Sequence, residues 1–246
     1  MVGGQTVLAI IPARGGSKSL PRKNVRVLNG HPLIAYSIFT ALNSATIDRA
    51  IVSTDDDEIG DVARAYGAEV PFLRPSELAL GLTPDLPVFE HALGWLAEHG
   101  GFVPELVVHL RPTSPVRNAA DVDGAVRLLA RRPDADSVRG VSPAAVSPFK
   151  MYRVGPDGCL RPLMADEDPG AHNAPRQSLP ACYRGNGAID VTRRATVTEQ
   201  HSMTGARVLP WMVEGYCVDL DTPEDWDHLE WLVSTRRVQL PVAMRE

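Results

Sequence analysis

A loop rich in glycine and in cationic side chains follows the first apolar segment of the chain. It begins Ala13-Arg-Gly-Gly-Ser-Lys18 and continues through Asn24. Five cations fall within the thirteen residues from the first to the last of them: Arg14, Lys18, Arg22, Lys23 and Arg26. Gly15 and Gly16 let the backbone approach a ligand closely and expose N–H donors. Adjacent phosphate groups require donors and positive charge together. The loop therefore predicts a binding site for a nucleoside triphosphate.

Two common phosphate-binding patterns are absent from the sequence. Neither GxxxxGK[ST] nor GxGxxG occurs, which disfavours a P-loop ATPase and a dinucleotide-binding enzyme. The alternative interpretation of the loop is a solvated basic segment that binds nothing. Its position after an apolar strand favours the phosphate site, because open α/β sheets bind ligands at the carboxyl ends of their strands.

Two aspartates, Asp219 and Asp221, come at the end of a late apolar stretch, residues 216–220. Alternate residues of a strand share a face, so both carboxylates are expected on one side. Magnesium is usually held by one or two carboxylates together with phosphate oxygens and water. We therefore predict both as ligands of Mg²⁺, with Mn²⁺ as an alternative metal. The competing interpretation is that Asp219 faces solvent and Asp221 only precedes a helix.

A stiff polar turn, Arg111-Pro-Thr-Ser-Pro-Val-Arg117, follows another apolar strand. Its two hydroxyls offer hydrogen bonds, and its guanidinium groups suit a carboxylate. A plain helix entry with surface arginines is the alternative. Arg176, Tyr183 and Arg184 form a similar polar cluster. His91 and His109 are interpreted as packed or surface residues rather than ligands.

The elements that must position these residues alternate between strands and helices. The pattern predicts strands at residues 7–12, 49–53, 69–73, 105–110 and 216–220, and helices at 32–45, after a cap at Thr54 or Asp55, before residue 100, after Asn118 and after Thr222. Such alternation indicates right-handed βαβ units and a parallel sheet. The rhythm breaks over residues 141–209, which we interpret as an inserted β-rich subdomain of a single domain spanning 1–246.

The composition excludes several classes of function. The chain has 246 residues, a net charge of −5 and a pI near 5.8, which disfavours binding to nucleic acid. No stretch approaches the length of a membrane span. Its three cysteines form no CxxC pair, which suits a reducing compartment. We therefore expect a cytoplasmic protein.

These motifs resemble those of the acylneuraminate cytidylyltransferase (CMP-sialic acid synthetase) family. The similar segments run in family order over nearly the whole chain: IPARGGSKSLPRKN, IVSTDDDEI, LRPSELA, LRPTSPVR, SPFK, PRQSLP, NGAI and VDLDTPEDW. The resemblance implies an α/β, Rossmann-like nucleotidyltransferase fold with a mostly parallel central sheet flanked by helices, and a homodimer joined through the insert.

The resemblance also implies CTP as the nucleotide and assigns residues to roles. The nucleotide site would comprise Ala13, Arg14, Gly15, Gly16, Ser17, Lys18, Lys23, Asn24, Arg74 and Asp85. The acceptor site would comprise Arg111, Thr113, Ser114, Lys150, Arg176, Arg184, Asn186 and Asp190. Asp219 and Asp221 match the metal-binding acids, and Arg14, Lys18 and Asp221 are the expected catalytic residues.

Three residues depart from the pattern of sialate-specific members. Arg111 replaces a usual glutamine, Asp190 a usual tyrosine and Asp85 a small hydroxyl residue, so an acceptor with a second anionic group or different decoration is expected. The predicted reaction joins CTP to an acidic 2-keto-3-deoxy sugar and releases pyrophosphate. Alternatives are Kdo or a phosphonate as the acceptor, and a catalytically silent nucleotide-binding regulator.

Overall fold

Ten strands form the sheets of this computed structural model, which describes residues 1–17 and 19–242; the predicted Lys18 lies outside them. The strands are β1 (Val7–Pro12), β2 (Val27–Leu28), β3 (His31–Pro32), β4 (Arg49–Ser53), β5 (Leu106–His109), β6 (Ser137–Pro143), β7 (Tyr152–Val154), β8 (Leu160–Pro162), β9 (Tyr183–Arg193) and β10 (Val208–Met212).

Six α-helices accompany them: α1 (Leu33–Asn43), α2 (Asp57–Ala65), α3 (Asp85–Gly100), α4 (Ala119–Ala130), α5 (Arg194–Thr198) and α6 (Pro223–Ser234). Short 3₁₀ turns occur at Lys23–Val25, Ser76–Leu78, Pro148–Lys150, Ala171–Asn173 and Arg176–Ser178. In the described part of the chain, no helix is long and apolar enough to cross a membrane.

The main sheet has six strands in the order β10-β6-β9-β5-β1-β4. Strand β1 lies between β4 and β5 and runs parallel to both, whereas β9 runs antiparallel to β5 and sets His109 opposite Asp190. The first five residues of β1 are buried, as expected for a strand covered on both faces. This α/β sheet confirms the predicted fold class.

The chain divides into two compact units. Residues 1–140 and 186–246 form the first, and Val141–Gly185 forms the second. The predicted insert, residues 141–209, begins with the second unit but extends beyond it. Residues 186–209 group with the first unit because they supply most of β9, together with α5 and the start of β10.

Three local predictions differ from the structure. Residues 69–73 form only isolated bridges, Ile51 with Glu69 and Thr54 with Leu73, since Pro71 lacks the N–H that a continuous ladder needs. Asp56, rather than Thr54 or Asp55, caps α2 by accepting from the Ile59 N–H. Its side chain satisfies one of the free donors of the first turn.

The predicted strand at residues 216–220 is wrong. The segment belongs to no strand, and Leu220 donates its N–H to the Thr113 carbonyl at 2.8 Å. Val218 and Leu220 pack in the cluster that contains Tyr36 of α1 and Trp226 of α6. The apolar character of the segment therefore reflects packing against these helices and not pairing in the sheet.

Candidate active site

A cleft of about 660 Å³ opens in the first unit where β1 and β5 end. It is lined by Pro12, Arg14, Ser17, Ser19, Lys23, Asn24, Arg74, Leu78, Leu80, Gly81, Leu82, Thr83, Asp85, Val88, His109, Arg111, Pro112, Thr113 and Asp221. The structure thus brings the cationic loop, the polar turn and one of the two predicted metal ligands around a single cavity.

The loop after β1 is fixed by hydrogen bonds at both ends. Ala13 is buried and continues the sheet by donating its N–H to the Ser53 carbonyl at 3.0 Å. The Asn24 amide donates to the Arg14 carbonyl at 3.0 Å, and the Arg14 guanidinium donates to the Leu80 carbonyl at 2.8 Å. Arg14 and Ser17 of this loop line the cleft.

Gly15 and Gly16 serve the loop differently. The Gly15 N–H donates to Asp55 at 3.0 Å, and a Cβ at Gly15 would lie 2.5 Å from the Asp56 carboxylate. A Cβ at Gly16 would meet nothing within 4 Å. Gly15 is therefore required for packing against the start of α2, whereas Gly16 faces open space.

Arg22 is tied to the same acidic helix start. Its guanidinium pairs with Asp56 at 2.5 Å and also contacts Glu58. The hydrogen bond from Arg22 is the largest influence on Asp56 and lowers the pKa of that carboxyl. This cation of the loop is consequently engaged by protein groups.

Lys23 joins the loop to the acidic segment. Its ammonium is nearly buried, donates to the Leu220 carbonyl at 2.6 Å and lies 3.5 Å from Asp221. Asp219 and Asp221 are both exposed and flank the buried Leu220. The predicted common side of the two aspartates relied on a strand that this segment does not form, and Asp221 lines the cleft whereas Asp219 is not among its lining residues.

Arg111 bridges two carboxylates. It donates to Asp190 at 2.6 Å and to Asp85 at 3.2 Å, and Asp190 also accepts from Arg139 at 2.9 Å. Burial opposes the charge of Arg111, but Asp190 and Asp85 outweigh it and raise its pKa. Because Asp190 and Asp85 already pair with the Arg111 guanidinium, it is not free to bind a second anionic group of an acceptor.

The rest of the polar turn is buried beneath the cleft. The Ser114 hydroxyl is buried and has no hydrogen-bond partner among residues 1–17 and 19–242. It faces Gly187, whose φ of +69° and close approach to Ser114 favour glycine. The neighbouring Asn186 accepts from the Ala188 N–H at 3.1 Å. Arg117 donates to the Ser114 carbonyl at 2.8 Å and braces the turn from inside.

Arg74 is a buried wall of the cleft. It donates to the Ser53 hydroxyl at 3.1 Å and to the Ser53 carbonyl. Burial is the main reason that the pKa of Arg74 is lowered. Arg74 is among the residues that line the cleft, and its contact with the nucleotide stays a prediction.

Three predicted acceptor residues belong to the second unit. Lys150 donates to the carbonyls of His172 and Ala174 at 2.9 and 2.5 Å, and Arg176 donates to the Ala145 carbonyl at 3.1 Å. Arg184 lies in the same unit, beside a smaller cavity of about 280 Å³. Their role in acceptor binding stays a prediction.

Two features of the cleft were not predicted. Residues 80–83 form part of its wall, and Leu82 is 98% exposed there. His109 was interpreted as a packed or surface residue, yet its buried ring lines the cavity. The sequence signal that could have placed His109 in the cleft was its position as the last residue of an apolar strand, two residues before Arg111.

Comparison with known proteins identifies the family of the chain. The profile of the cytidylyltransferase family matches residues 8–145. A CMP-N,N'-diacetyllegionaminic acid synthase of Legionella pneumophila subsp. pneumophila is 34% identical over 95% of this chain and 99% of its own. A CMP-N,N'-diacetyllegionaminic acid synthase of Campylobacter jejuni subsp. jejuni is 33% identical over 94% and 97%.

A solved structure supports the same fold. The CMP:2-keto-3-deoxy-manno-octonic acid synthetase complexed with CTP superposes with a TM-score of 0.69, covering 94% of this chain and 99% of that one at 16% identity. The profile match spans more than half of the chain, and it includes the cationic loop and the polar turn. The chain therefore belongs to the cytidylyltransferase family and is a nucleotidyltransferase.

Proposed function

We propose that the protein transfers CMP from CTP to a nonulosonic acid, giving the CMP-sugar and pyrophosphate. The observation that carries this proposal is the shared cleft, where donors of the β1 loop and the carboxylate of Asp221 line one cavity. A triphosphate with its metal needs this combination of cationic donors and an acidic ligand.

In the proposed reaction the anomeric hydroxyl of the acceptor attacks the α-phosphorus of CTP. The new oxygen–phosphorus bond forms as the bond to the bridging oxygen breaks, and pyrophosphate leaves with that electron pair while the hydroxyl proton is released. Arg14 and Lys18 would offset the charge of the triphosphate. Catalysis then rests on positioning and on electrostatic stabilisation.

The acidic pair suits Mg²⁺, or Mn²⁺ in its place. Asp219 and Asp221 offer exposed carboxylate oxygens, the hard ligands that Mg²⁺ prefers. No group of three or more His, Cys, Asp or Glu side chains suited to a metal occurs in the described ranges, so phosphate and water oxygens would complete the shell. When bound, the ion would neutralise charge on the phosphates. Lys23 would hold the segment that carries Asp221 in place.

The relatives support a nonulosonic acid as the acceptor. Both named relatives match almost the whole chain and are described as synthases of the CMP derivative of N,N'-diacetyllegionaminic acid. The Arg111 network sets this chain apart from the sialate pattern, and its matched charges favour an acceptor that is uncharged at that point. We therefore place a legionaminic-type acid ahead of sialic acid itself.

We further propose a homodimer joined through the predicted insert. The second unit exposes several apolar side chains, among them Val146, Met151 and Tyr183, and such patches are typical of protein contacts. Light scattering of the purified protein tests the dimer. The three cysteines lie far apart in the sequence and form no CxxC pair, which supports the proposed cytoplasmic location.

Pyrophosphate release tests the proposed function directly. Purified protein is incubated with each nucleoside triphosphate, with and without Mg²⁺, and with N,N'-diacetyllegionaminic acid, sialic acid, Kdo or a phosphonate. We expect release only with CTP, metal and a nonulosonic acid. Tight binding of CTP without release from any acceptor would instead favour a silent regulator.

A further inference from the structure

His109 is a buried polar residue in the wall of the cleft. Its side chain is 2% exposed, and neither ring nitrogen has a hydrogen-bond partner within residues 1–17 and 19–242. One face of the ring packs against Phe89, with the ring centroids 4.7 Å apart. A buried imidazole without partners is unfavourable in the protein alone, so a ligand that pairs it recovers lost hydrogen bonds.

The surroundings keep this imidazole uncharged. Burial is the main influence, and the cations Arg111, Arg117 and Arg139 add to it, so the pKa of His109 is lowered well below its ordinary value. The facing carboxylate is Asp85, whose oxygen lies 3.8 Å from His109 Nδ1. That distance is too long for a hydrogen bond.

Asp85 is also engaged elsewhere. The same carboxylate oxygen accepts from Arg111 at 3.2 Å, and Asp190 pairs with the other arm of Arg111. A phosphate or carboxylate placed beside His109 would be repelled by Asp85 and Asp190, whose shared partner Arg111 is already engaged. The wall is therefore suited to an uncharged group, because a neutral imidazole can donate one hydrogen bond and accept one.

We propose that His109 is a specificity-determining residue that exchanges hydrogen bonds with an uncharged polar group of a substrate. Two sources have this chemistry: the edge of the cytosine ring, and a hydroxyl or acylamino substituent of the acceptor. The inference rests on the proposed function for the identity of the two substrates. It adds a contact that neither the sequence motifs nor the charged groups of the cleft supply.

Two substitutions separate hydrogen bonding from packing. His109→Leu keeps the ring's apolar contacts but removes both polar atoms, whereas His109→Asn keeps one donor and one acceptor. We expect His109→Leu to weaken the binding of one substrate about tenfold, and we expect His109→Asn to retain most of the affinity that His109→Leu loses. A purely structural histidine predicts the opposite order, since the apolar residue would then be the better replacement.

Calorimetry of CTP and UTP binding is the first arm of the test. A tenfold loss of CTP affinity in His109→Leu, with a reduced preference over UTP, assigns the contact to cytosine. The second arm measures binding of N,N'-diacetyllegionaminic acid and of Kdo in the presence of α,β-methylene-CTP and Mg²⁺. A loss confined to either acid assigns the contact to its acylamino or hydroxyl groups.

His91→Leu is the matched control. Its Nδ1 is likewise buried without a partner in the described part of the chain, but His91 does not line the cleft. We expect both affinities to remain within twofold of the unaltered protein. The proposal is overturned if folded His109→Leu binds CTP and the acids normally, or if no acid binds and CTP affinity is unchanged. Absence of pyrophosphate release from the unaltered protein contradicts the proposed function alone, because the binding arms do not depend on turnover.

Discussion

The ammonium of Lys23 lies 3.5 Å from the carboxylate of Asp221 and donates a 2.6 Å hydrogen bond to the Leu220 carbonyl. Lys23 and Leu220 are 197 positions apart in the sequence. The nucleotide loop and the acidic segment are thus fastened to each other across the cleft. This contact explains why a lysine at this position is nearly buried although it carries a charge.

Removing the Asp221 carboxylate should slow turnover strongly without unfolding the protein. Its side chain is 70% exposed, so Asp221→Ala removes little packing. We expect kcat to fall roughly 100- to 1000-fold, the effect of losing one group that stabilises transition-state charge. Pyrophosphate release measures the rate and circular dichroism the fold. The control is Glu224→Ala, which removes an exposed acid from the first turn of α6 and should retain activity. A near-normal rate in Asp221→Ala would show that Asp221 has no part in the mechanism.

The two loop glycines should respond differently to alanine. At Gly15 the new Cβ would overlap the Asp56 side chain at 2.5 Å, whereas at Gly16 it would enter open space. We expect Gly15→Ala to lower the free energy of unfolding by about 1–3 kcal/mol, as overpacking does, and to weaken CTP binding. Gly16→Ala should leave stability unchanged. Equal stabilities in chemical denaturation would show that the loop relaxes freely around Asp56.

Neutralising Asp190 should destabilise the first unit. Its carboxylate is 8% exposed and pairs with Arg111 and Arg139, whose side chains are 25% and 40% exposed. Because the arginines keep some solvent, we expect Asp190→Asn to cost somewhat less than the ~3–5 kcal/mol of a fully buried broken pair. Urea denaturation measures the change. Asp134→Asn, which breaks surface pairs with Arg132 and Arg207, should change stability little, and a similar loss in both variants would contradict the distinction.

Asp123 should make stability depend on pH in acid. Burial opposes its ionisation, but hydrogen bonds from Ser44, Thr46 and Ala45 lower its pKa below the usual 3.8. A lowered carboxyl pKa stabilises the fold above the unfolded value, and this contribution is lost as the pH falls through the folded value. Asp123→Asn should therefore cost roughly 2 kcal/mol at pH 7, and the difference should shrink below pH 4.

The measurement for Asp123 is denaturation of both proteins at pH 7, 5 and 3. Asp61→Asn provides the control, because Asp61 is 79% exposed on α2 and should give no pH-dependent difference. A destabilisation by Asp123→Asn that stays constant from pH 7 to pH 3 would exclude ionisation of Asp123 as its cause.

Local patterns in the sequence were sufficient for much of the fold. The apolar run at residues 7–12 and the segment 49–53 predicted β1 and β4 with their observed bounds, because a parallel strand buried on both faces leaves a continuous apolar signal. The loop after β1 was likewise predicted from its glycines and cations. The strand predicted at residues 216–220 was wrong because a loop segment that packs against α6 can be as apolar as a short strand.

The partners of Arg111 could not be predicted locally. Asp190 reaches it through the antiparallel register of β5 and β9, and Asp85 through the start of α3. Neither relation is visible in the spacing of residues along the chain. The same limit applied to His109, whose missing hydrogen bonds become apparent only when every neighbouring element is in place.

The pairing of Arg111 with both Asp85 and Asp190 also constrains how this family member can evolve or be engineered. Replacing Arg111 alone leaves both carboxylates without this partner, and replacing Asp190 alone leaves Arg139 without its carboxylate, so such single substitutions toward the sialate pattern pass through a weakened intermediate. Exchanging Arg111, Asp85 and Asp190 together still leaves Arg139 without its carboxylate partner, so this fourth residue belongs to the same set. A change of acceptor in this enzyme is therefore expected to require coordinated mutations rather than a stepwise series.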